Sequence, residues 1–261
     1  MDSGVGGLSV LREVRGLLPG EDLLYVADSA YCPYGAKGAE AIQRRVFWVV
    51  DRLLARGVKL VVVACNSATI AAIEALRVSY PLPFAGMEPA VKPAAARTRS
   101  GVVGVLATEA SLAGEKFHRL VSDHAAGVRV ITIPCPALVE HVERGELVGE
   151  AVRASVAGYV SPLVGEGADV LVLGCTHYPF LRGVIEDVAG AGVEVLDTGA
   201  AVARRVVALL EQEGLRAGRV GGGRVELITT GEVRPFRRVV KTLMGELDEA
   251  VEIGLWAGGP G

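Results

Sequence analysis

Two cysteines occupy the same setting at two places in the chain. VVVACNSATI (61–70) and VLVLGCTHYP (170–179) each run from β-branched apolar residues through a small residue into a cysteine, then an amide or hydroxyl residue. Cys65 and Cys175 lie 110 positions apart. An ionised thiol accepts a proton and a neutral one donates it. Two thiols offered to one cleft from opposite sides could take a proton from one face of a carbon and return one to the other. Open α/β sheets bind ligands at the carboxyl ends of their strands, which is where both cysteines are expected.

The neighbours add to this. Asn66 and Ser67 are expected to open a helix whose first N–H groups point at the Cys65 sulfur, a field that favours thiolate and carboxylate. For Cys65 taken alone, a buried cysteine serving as a small hydrophobe is an equal reading. Beside Cys175, Thr176 can cap a helix and His177 supplies a proton partner that titrates near neutrality. Asp2-Ser3-Gly4-Val5-Gly6-Gly7 forms a glycine turn with one carboxylate. It lacks both a full GxGxxG and a GK[ST], so it predicts no nucleotide site, and Asp-Ser also reads as an ordinary helix cap. Asp28-Ser29 and Pro33-Tyr34-Gly35 follow a predicted strand, where ligand contacts and plain turns both occur. Cys32 and Cys135 lack the helix-start context and read as non-catalytic. Glu143, in CPALVEHVERGE, reads from periodicity as a surface acid. The spacing of His118, His124 and His141 fits no metal set, and no metal is expected.

The elements that must position these residues follow from the apolar pattern. LLYVA (23–27), VKLVVVA (58–64), VVGVLA (102–107), VRVITI (128–133), DVLVLG (169–174), VEVLD (193–197) and VELIT (225–229) read as strands. Their near-continuous Val/Leu/Ile character predicts cover on both faces. Helical patterns intervene at about 39–56, 66–78, 199–213 and 232–243. Another, over 147–164, carries a stripe of Leu147, Val148, Ala151, Val152, Val156, Tyr159, Val160, Leu163 and Val164 that reads as core. Alternating strands and helices predict an α/β fold with doubly wound, mainly parallel sheets. A domain change is expected near 93–100, and the Gly-rich, basic segment 215–224 reads as a mobile surface connection. The domains expected are 1–96 plus 215–261 and 97–214.

Composition narrows the partners. The 261 residues are 51% hydrophobic and 5% aromatic, with 34 glycines and a formal net charge of −3; the pI is about 5.9 and mean hydropathy +0.40. No clustered basic stripe exists, so nucleic acid is not an expected partner. No apolar run reaches the roughly 18 residues a membrane span needs, and no signal peptide is evident, so no membrane partner is expected. Four cysteines without CxxC spacing read as free thiols of a cytoplasmic protein.

Together DSGVGGLSV, DSAYCPYG, ACNSAT, CPALVEHVE and GCTHYPFL resemble glutamate racemase, of the cofactor-independent aspartate/glutamate racemase superfamily. The resemblance runs from Asp2 to about Gly199, and TTGEVRPF (229–236) extends it. It implies two flavodoxin-like domains related by a pseudo-twofold, the active site between them, and a C-terminal segment that returns to the first. It implies catalytic thiols at Cys65 and Cys175 and auxiliary acid/base groups at Asp2, Asp28, Glu143 and His177. Substrate-binding positions fall on Asp2, Ser3, Tyr34, Gly35, Asn66, Ser67, Thr176 and His177. The activity implied is interconversion of L- and D-glutamate without pyridoxal phosphate or any other cofactor, supplying D-glutamate for peptidoglycan precursors. Glutamate is then the small-molecule partner, and a homodimer is the assembly considered.

Ser67 stands where the family usually has Thr, and Ala27 where Gly is common. The family also carries a strand immediately before the Asp-Ser pair, whereas this sequence starts at Met1. The resemblance therefore implies a coding start upstream; without that strand, ladder groups stay unpaired and apolar surface stays open. The alternatives are an aspartate racemase or another superfamily isomerase and, from a different class, a non-catalytic binding or inhibitor protein. If the thiol pair works as implied, each sulfur approaches the α-carbon to about 3–3.5 Å, which sets the two roughly 6–7 Å apart.

Overall fold

The buried Val/Leu/Ile runs become parallel strands, and each cysteine motif becomes a strand end. The computed structural model describes residues 1–245 and 251–256. In chain order the first part contains α1 (Leu8–Leu17), β1 (Leu23–Ala27), α2 (Ala39–Ala55), β2 (Val61–Val63), α3 (Asn66–Ser79), β3 (Phe84–Gly86) and α4 (Val91–Arg97). There follow β4 (Val102–Ala107), α5 (Glu109–Leu112), α6 (Glu115–His124), β5 (Arg129–Pro134), α7 (Pro136–Arg144), α8 (Glu150–Gly165) and β6 (Val170–Gly174). Then come α9 (Arg182–Ala189), β7 (Glu194–Leu196), α10 (Gly199–Gln212), β8 (Val225–Thr229), α11 (Val233–Met244) and β9 (Val251–Leu255). Residues 246–250 and 257–261, part of the first expected domain, lie outside the described residues.

All the strand pairs are parallel. One sheet has the order β5-β4-β6-β7, and a second β1-β8-β9. β2 pairs with β3. The β8 strand thus returns from the C-terminal part to lie against β1, in register from Leu23↔Val225 to Ala27↔Thr229. Helices cover both faces, as α/β layering requires of sheets this apolar. Along α8, Val152, Val156, Val160 and Leu163 pack into the core beneath β4 and β6 with Leu106 and Leu171. Truncating such a Leu to Ala costs about 2–5 kcal/mol.

Met1 and Asp2 join β1 to β2. The Asp2 N–H donates to the Val26 carbonyl and accepts back through its own carbonyl from Asp28 N–H. The Met1 carbonyl accepts from Ala64 N–H, and the Met1 ammonium donates to the Val62 carbonyl. Toward the amino ends of these strands a cavity of about 920 Å³ opens, lined by Leu23, Tyr25, Leu53, Leu60, Val62 and Val225 among others.

Four local readings change. Val148 is 78% exposed and Ala151 is exposed, because Gly149 at φ +111° separates 147–148 from a helix that starts only at Glu150. The expected connection over 93–100 is largely helix. Pro93 sits in the first turn of α4, where a missing N–H costs nothing, and Val91 and Ala94 are buried with Val103, Val105 and Val170. Segment 215–224 is irregular but held: Ala217 N–H donates to Glu21, the Arg219 side chain to the Gly20 carbonyl, and Gly223 N–H to the Pro19 carbonyl. α10, although it follows β7, packs on α1 and β3 through Val202, Ala203, Val206 and Leu210.

Candidate active site

Both thiols sit at a strand's carboxyl end, buried. Cys65 is the N-cap of α3, directly after β2, and Cys175 follows β6 before a single 3₁₀ turn at Tyr178–Leu181. The Cys65 sulfur lies 3.9 Å from the Ser3 hydroxyl. A backbone N–H of α3 does reach it, but from Ala68 rather than from Asn66 or Ser67. That field does not prevail. Burial, with the Asp2 charge adding to it, pushes the Cys65 thiol up to about 12, so with no ligand bound it is a neutral proton donor. Charge on Cys175 also opposes ionisation of Cys65, which places the two sulfurs within electrostatic reach of each other.

Cys175 has a different companion. The His177 Nδ1 lies 3.5 Å from its sulfur, and Nε2 lies 2.6 Å from a Glu143 carboxylate oxygen. The same oxygen accepts from Val5 N–H at 2.8 Å. Glu143, read from periodicity as a surface acid, is only 22% exposed, since it projects from α7 into the cleft beside the glycine loop. Burial works against an imidazolium, but hydrogen bonds to Cys175, Cys32 and Glu143 outweigh it and hold His177 well above its ordinary value. Burial would likewise raise Glu143, yet His177 and the Val5 amide keep it below the usual carboxylate range. Together they form a protonated imidazole between a carboxylate and a sulfur.

Asp2 ties the two sides together. One carboxylate oxygen accepts from Gly4 N–H at 2.9 Å and the other from the Thr176 hydroxyl at 3.1 Å. Burial lifts Asp2 above its ordinary value against the pull of His177. Thr176 therefore bonds to Asp2 and caps no helix. The DSGVGG turn is a close-approach device: a Cβ at Gly6 would lie 2.3 Å from His177 Nδ1 and 2.5 Å from the Thr176 hydroxyl. Only glycine lets that loop lie on the Cys175 side.

Among the substrate-binding candidates, Asn66 is informative. Its side-chain amide is buried, and neither its nitrogen nor its oxygen has a partner among the described residues. Orphaned buried amides are costly, so a ligand that bonds to both atoms gains accordingly. Ser67 bonds at 2.9 Å to Thr108, whose hydroxyl donates to Ser111 at 2.8 Å. Gly35 lies against Thr108, with a Cβ there 2.7 Å from the Thr108 Cβ.

Asp28 and Tyr34 lie on the Cys65 side but are otherwise engaged. The Asp28 carboxylate accepts from Tyr34 at 2.5 Å, from two Arg45 nitrogens at 3.0 and 2.5 Å, and from Thr230 at 2.8 Å. Asp28 is fully buried, and Arg45 stacks on Tyr31 with its guanidinium 3.6 Å from the ring centre. Burial and the Asp28 charge hold the Tyr34 phenol well above its ordinary value, so it donates to Asp28 as a neutral hydroxyl.

Arg45, Thr108, Ser111 and Cys32 were not among the candidates. Thr108-x-x-Ser111 did carry a signal, a hydroxyl pair closing the carboxyl end of a predicted strand. Arg45 carried none, because one Arg in a helical pattern reads as solvated.

The sequence profile described as Asp/Glu/Hydantoin racemase matches residues 8–206. The chain belongs to that family. A glutamate racemase from Herpetosiphon aurantiacus is 51% identical over 245 residues, covering 93% of this chain and 95% of the relative. Among solved structures, glutamate racemase RacE1 from Bacillus anthracis superposes with a TM-score of 0.86 at 30% identity, covering 99% of this chain and 95% of its own. The Escherichia coli glutamate racemase, solved with L-glutamate and the activator UDP-MurNAc-Ala, gives 0.85 at 32% identity, covering 98% and 96%. The racemase described above is therefore a mixed α/β amino-acid racemase with parallel sheets, and its two cysteine sites converge through Asp2 and Thr176. Among its described residues no helix is long and apolar enough to cross a membrane.

Proposed function

We propose that the protein interconverts L- and D-glutamate by proton transfer between the substrate α-carbon and two opposed thiols, Cys65 and Cys175. The electrostatic reach between the two buried thiols, with the orphaned amide of Asn66 on the residue after Cys65, carries this reading. Toward L-glutamate Cys175, 3.5 Å from His177, is the base in this scheme, and neutral Cys65 is the acid. One α-proton leaves to the Cys175 sulfur; the planar carbanion then takes the Cys65 proton on its other face. The roles exchange in the reverse direction, with Cys175 abstracting from L-glutamate and Cys65 from D-glutamate. Asp2 serves the Cys65 thiol and Glu143 holds His177. Asn66, Ser67, Thr176 and Ser3 bind the α-carboxylate and ammonium, and the first turn of α3 stabilises developing charge. Asp28 acts as a positioning residue that fixes Tyr34 and Gly35.

In this reading the first domain comprises 1–96 plus 215–261, and the second, 97–214, reaches back over it through α10. The enzyme acts in the cytoplasm and supplies D-glutamate to cell-wall precursors. The likeness to glutamate racemases over nearly the whole chain disfavours the aspartate-specific and non-catalytic alternatives.

Cys65→Ser and Cys175→Ser, assayed separately by circular dichroism of glutamate, test the assignment. Each is expected to lose about 10³-fold or more in racemisation, the range of a displaced acid or base. Full activity in either variant overturns the two-thiol reading.

A further inference from the structure

One cysteine in the cleft carries no proton to or from the substrate in that scheme, although it bonds to His177. Cys32 follows β1 between Tyr31 and Pro33, and its sulfur, a Glu143 carboxylate oxygen and a His177 ring nitrogen all lie within 4.8 Å of one another. Among the described residues no other set of three such donors comes together. The three come from separate segments, the loop after β1, the α7 helix and the loop after β6, so no spacing rule could have predicted them. The backbone at Gly4 closes over them. A Cβ there would lie 1.9 Å from the Glu143 oxygen and 2.9 Å from the Cys32 sulfur, so any larger residue would displace the cluster.

We propose that Cys32, Glu143 and His177 form a binding site for a soft divalent cation, Zn²⁺, and that its occupation stops racemisation. The donor set is one sulfur, one imidazole and one carboxylate, the mixture zinc selects over calcium or magnesium. Bond lengths near 2.0–2.3 Å put tetrahedral ligands about 3.4–3.6 Å apart. The geometry asks for small moves: the His177–Glu143 pair opens from 2.6 Å while the Cys32 sulfur already lies within 4.8 Å of both. A water completes the fourth position, as in sites with three protein ligands. With thiolate, carboxylate and neutral imidazole, the bound ion leaves the cluster without net charge in a buried place. Binding sends the Cys32 thiol proton and the proton shared by His177 and Glu143 to solvent. A metal-bound His177 no longer serves as an imidazolium beside Cys175. The inhibition, though not the binding, rests on the proposed role of His177.

Two readouts on the full, metal-stripped chain separate these points. In the first, Co²⁺ and Zn²⁺ are titrated in, Co²⁺ followed by its near-ultraviolet thiolate band and Zn²⁺ by competition with a chromophoric chelator. One equivalent should bind. Cys32→Ser and Cys32→Ala, each checked for an unchanged melting transition, should lose the Co²⁺ band and bind Zn²⁺ at least tenfold more weakly. The Cys65→Ser/Cys175→Ser double variant should keep both signals. Unchanged binding in the Cys32 variants, or binding lost in the double variant, overturns the site. In the second, racemisation is measured against Zn²⁺, each variant relative to its own zinc-free rate. Inhibition of the parent should need at least tenfold more Zn²⁺ in Cys32→Ser. Equal sensitivity overturns the inhibitory role, while a parent without racemase activity that still binds one Zn²⁺ through Cys32 counts only against the racemase reading.

Discussion

Each thiol has a buried ion pair in its half of the cleft, but only one of those pairs touches the sulfur. On the Cys65 side, Arg45 and Asp28 close on each other and on Tyr34 and Thr230, away from the chemistry. Around Cys65 itself stand Ser3, Asn66 and the first turn of α3. On the Cys175 side, His177 and Glu143 form the pair, and the imidazole lies against the sulfur. The first arrangement holds a loop rigid around a neutral thiol. The second sets an imidazolium against the other sulfur. A racemase needs one acid and one base at any instant, and the proposed scheme makes neutral Cys65 the acid and Cys175 the base toward L-glutamate.

Breaking the second pair should therefore remove chemistry, and breaking the first should remove stability. His177→Asn is expected to lower kcat by about 10³-fold and to cost less in unfolding than loss of the first pair. The enantiomers have equal free energies in water, so kcat/KM must fall by one factor in both directions; the asymmetry should appear in kcat, larger from L to D. Steady-state kinetics in both directions check this. Next in size, Arg45→Met leaves Asp28 as a buried, unpaired charge and is expected to cost about 3–5 kcal/mol in denaturant unfolding. If the Arg45 variant instead retains full stability and loses turnover, the division of labour proposed above is reversed.

Glu143→Gln is a smaller and more diagnostic change. Removing that carboxylate takes away one of the bonds holding His177 above its ordinary value, so the imidazolium loses its proton at lower pH. The alkaline limb of the rate profile is expected to move to lower pH, with kcat near neutrality down about tenfold. Linkage gives a matching sign for stability. His177 is raised in the folded state, so its contribution is present below its unfolded pKa and lost as pH rises through the folded one. Glu143 is lowered, so its contribution is present above about 4.5 and lost as pH falls through the folded value. The parent's stability should therefore fall off as pH drops below about 4.5 and as it rises above about 6.5, and Glu143→Gln should flatten that dome. The smallest effect is expected from Thr108→Val, which removes the hydroxyl between Ser67 and Ser111 and should raise KM for glutamate several-fold through about 1 kcal/mol of lost hydrogen bonding.

What was legible in the sequence follows the same line between local and distant causes. β4 (102–107) and β8 (225–229) were read to the residue because buried parallel strands are continuous apolar runs bounded by polar residues. β3, three residues hemmed by Pro81 and Pro83, is too short to show a period. Both thiols, Asp2, Ser3, Asn66, Ser67, Thr176 and His177 stand in local motifs, and the structure links Cys65 to Ser3, Asp2 to Thr176 and Cys175 to His177. Glu143 was misplaced by periodicity because what buries it is not on its own helix: Val5 and His177 approach from 138 and 34 positions away. Arg45 carries no signal, and Cys32 reads as non-catalytic, for the same reason: a helix pattern and a Pro-flanked loop say nothing about what folds over them.

Early-time racemisation of L-glutamate in D₂O tests the opposed thiols most directly. If Cys175 removes the proton and Cys65 returns another, newly formed D-glutamate carries deuterium at the α-carbon while unreacted L-glutamate still carries hydrogen. Deuterium rising equally in both enantiomers from the first turnovers would mean that a single group serves both faces, and would contradict it.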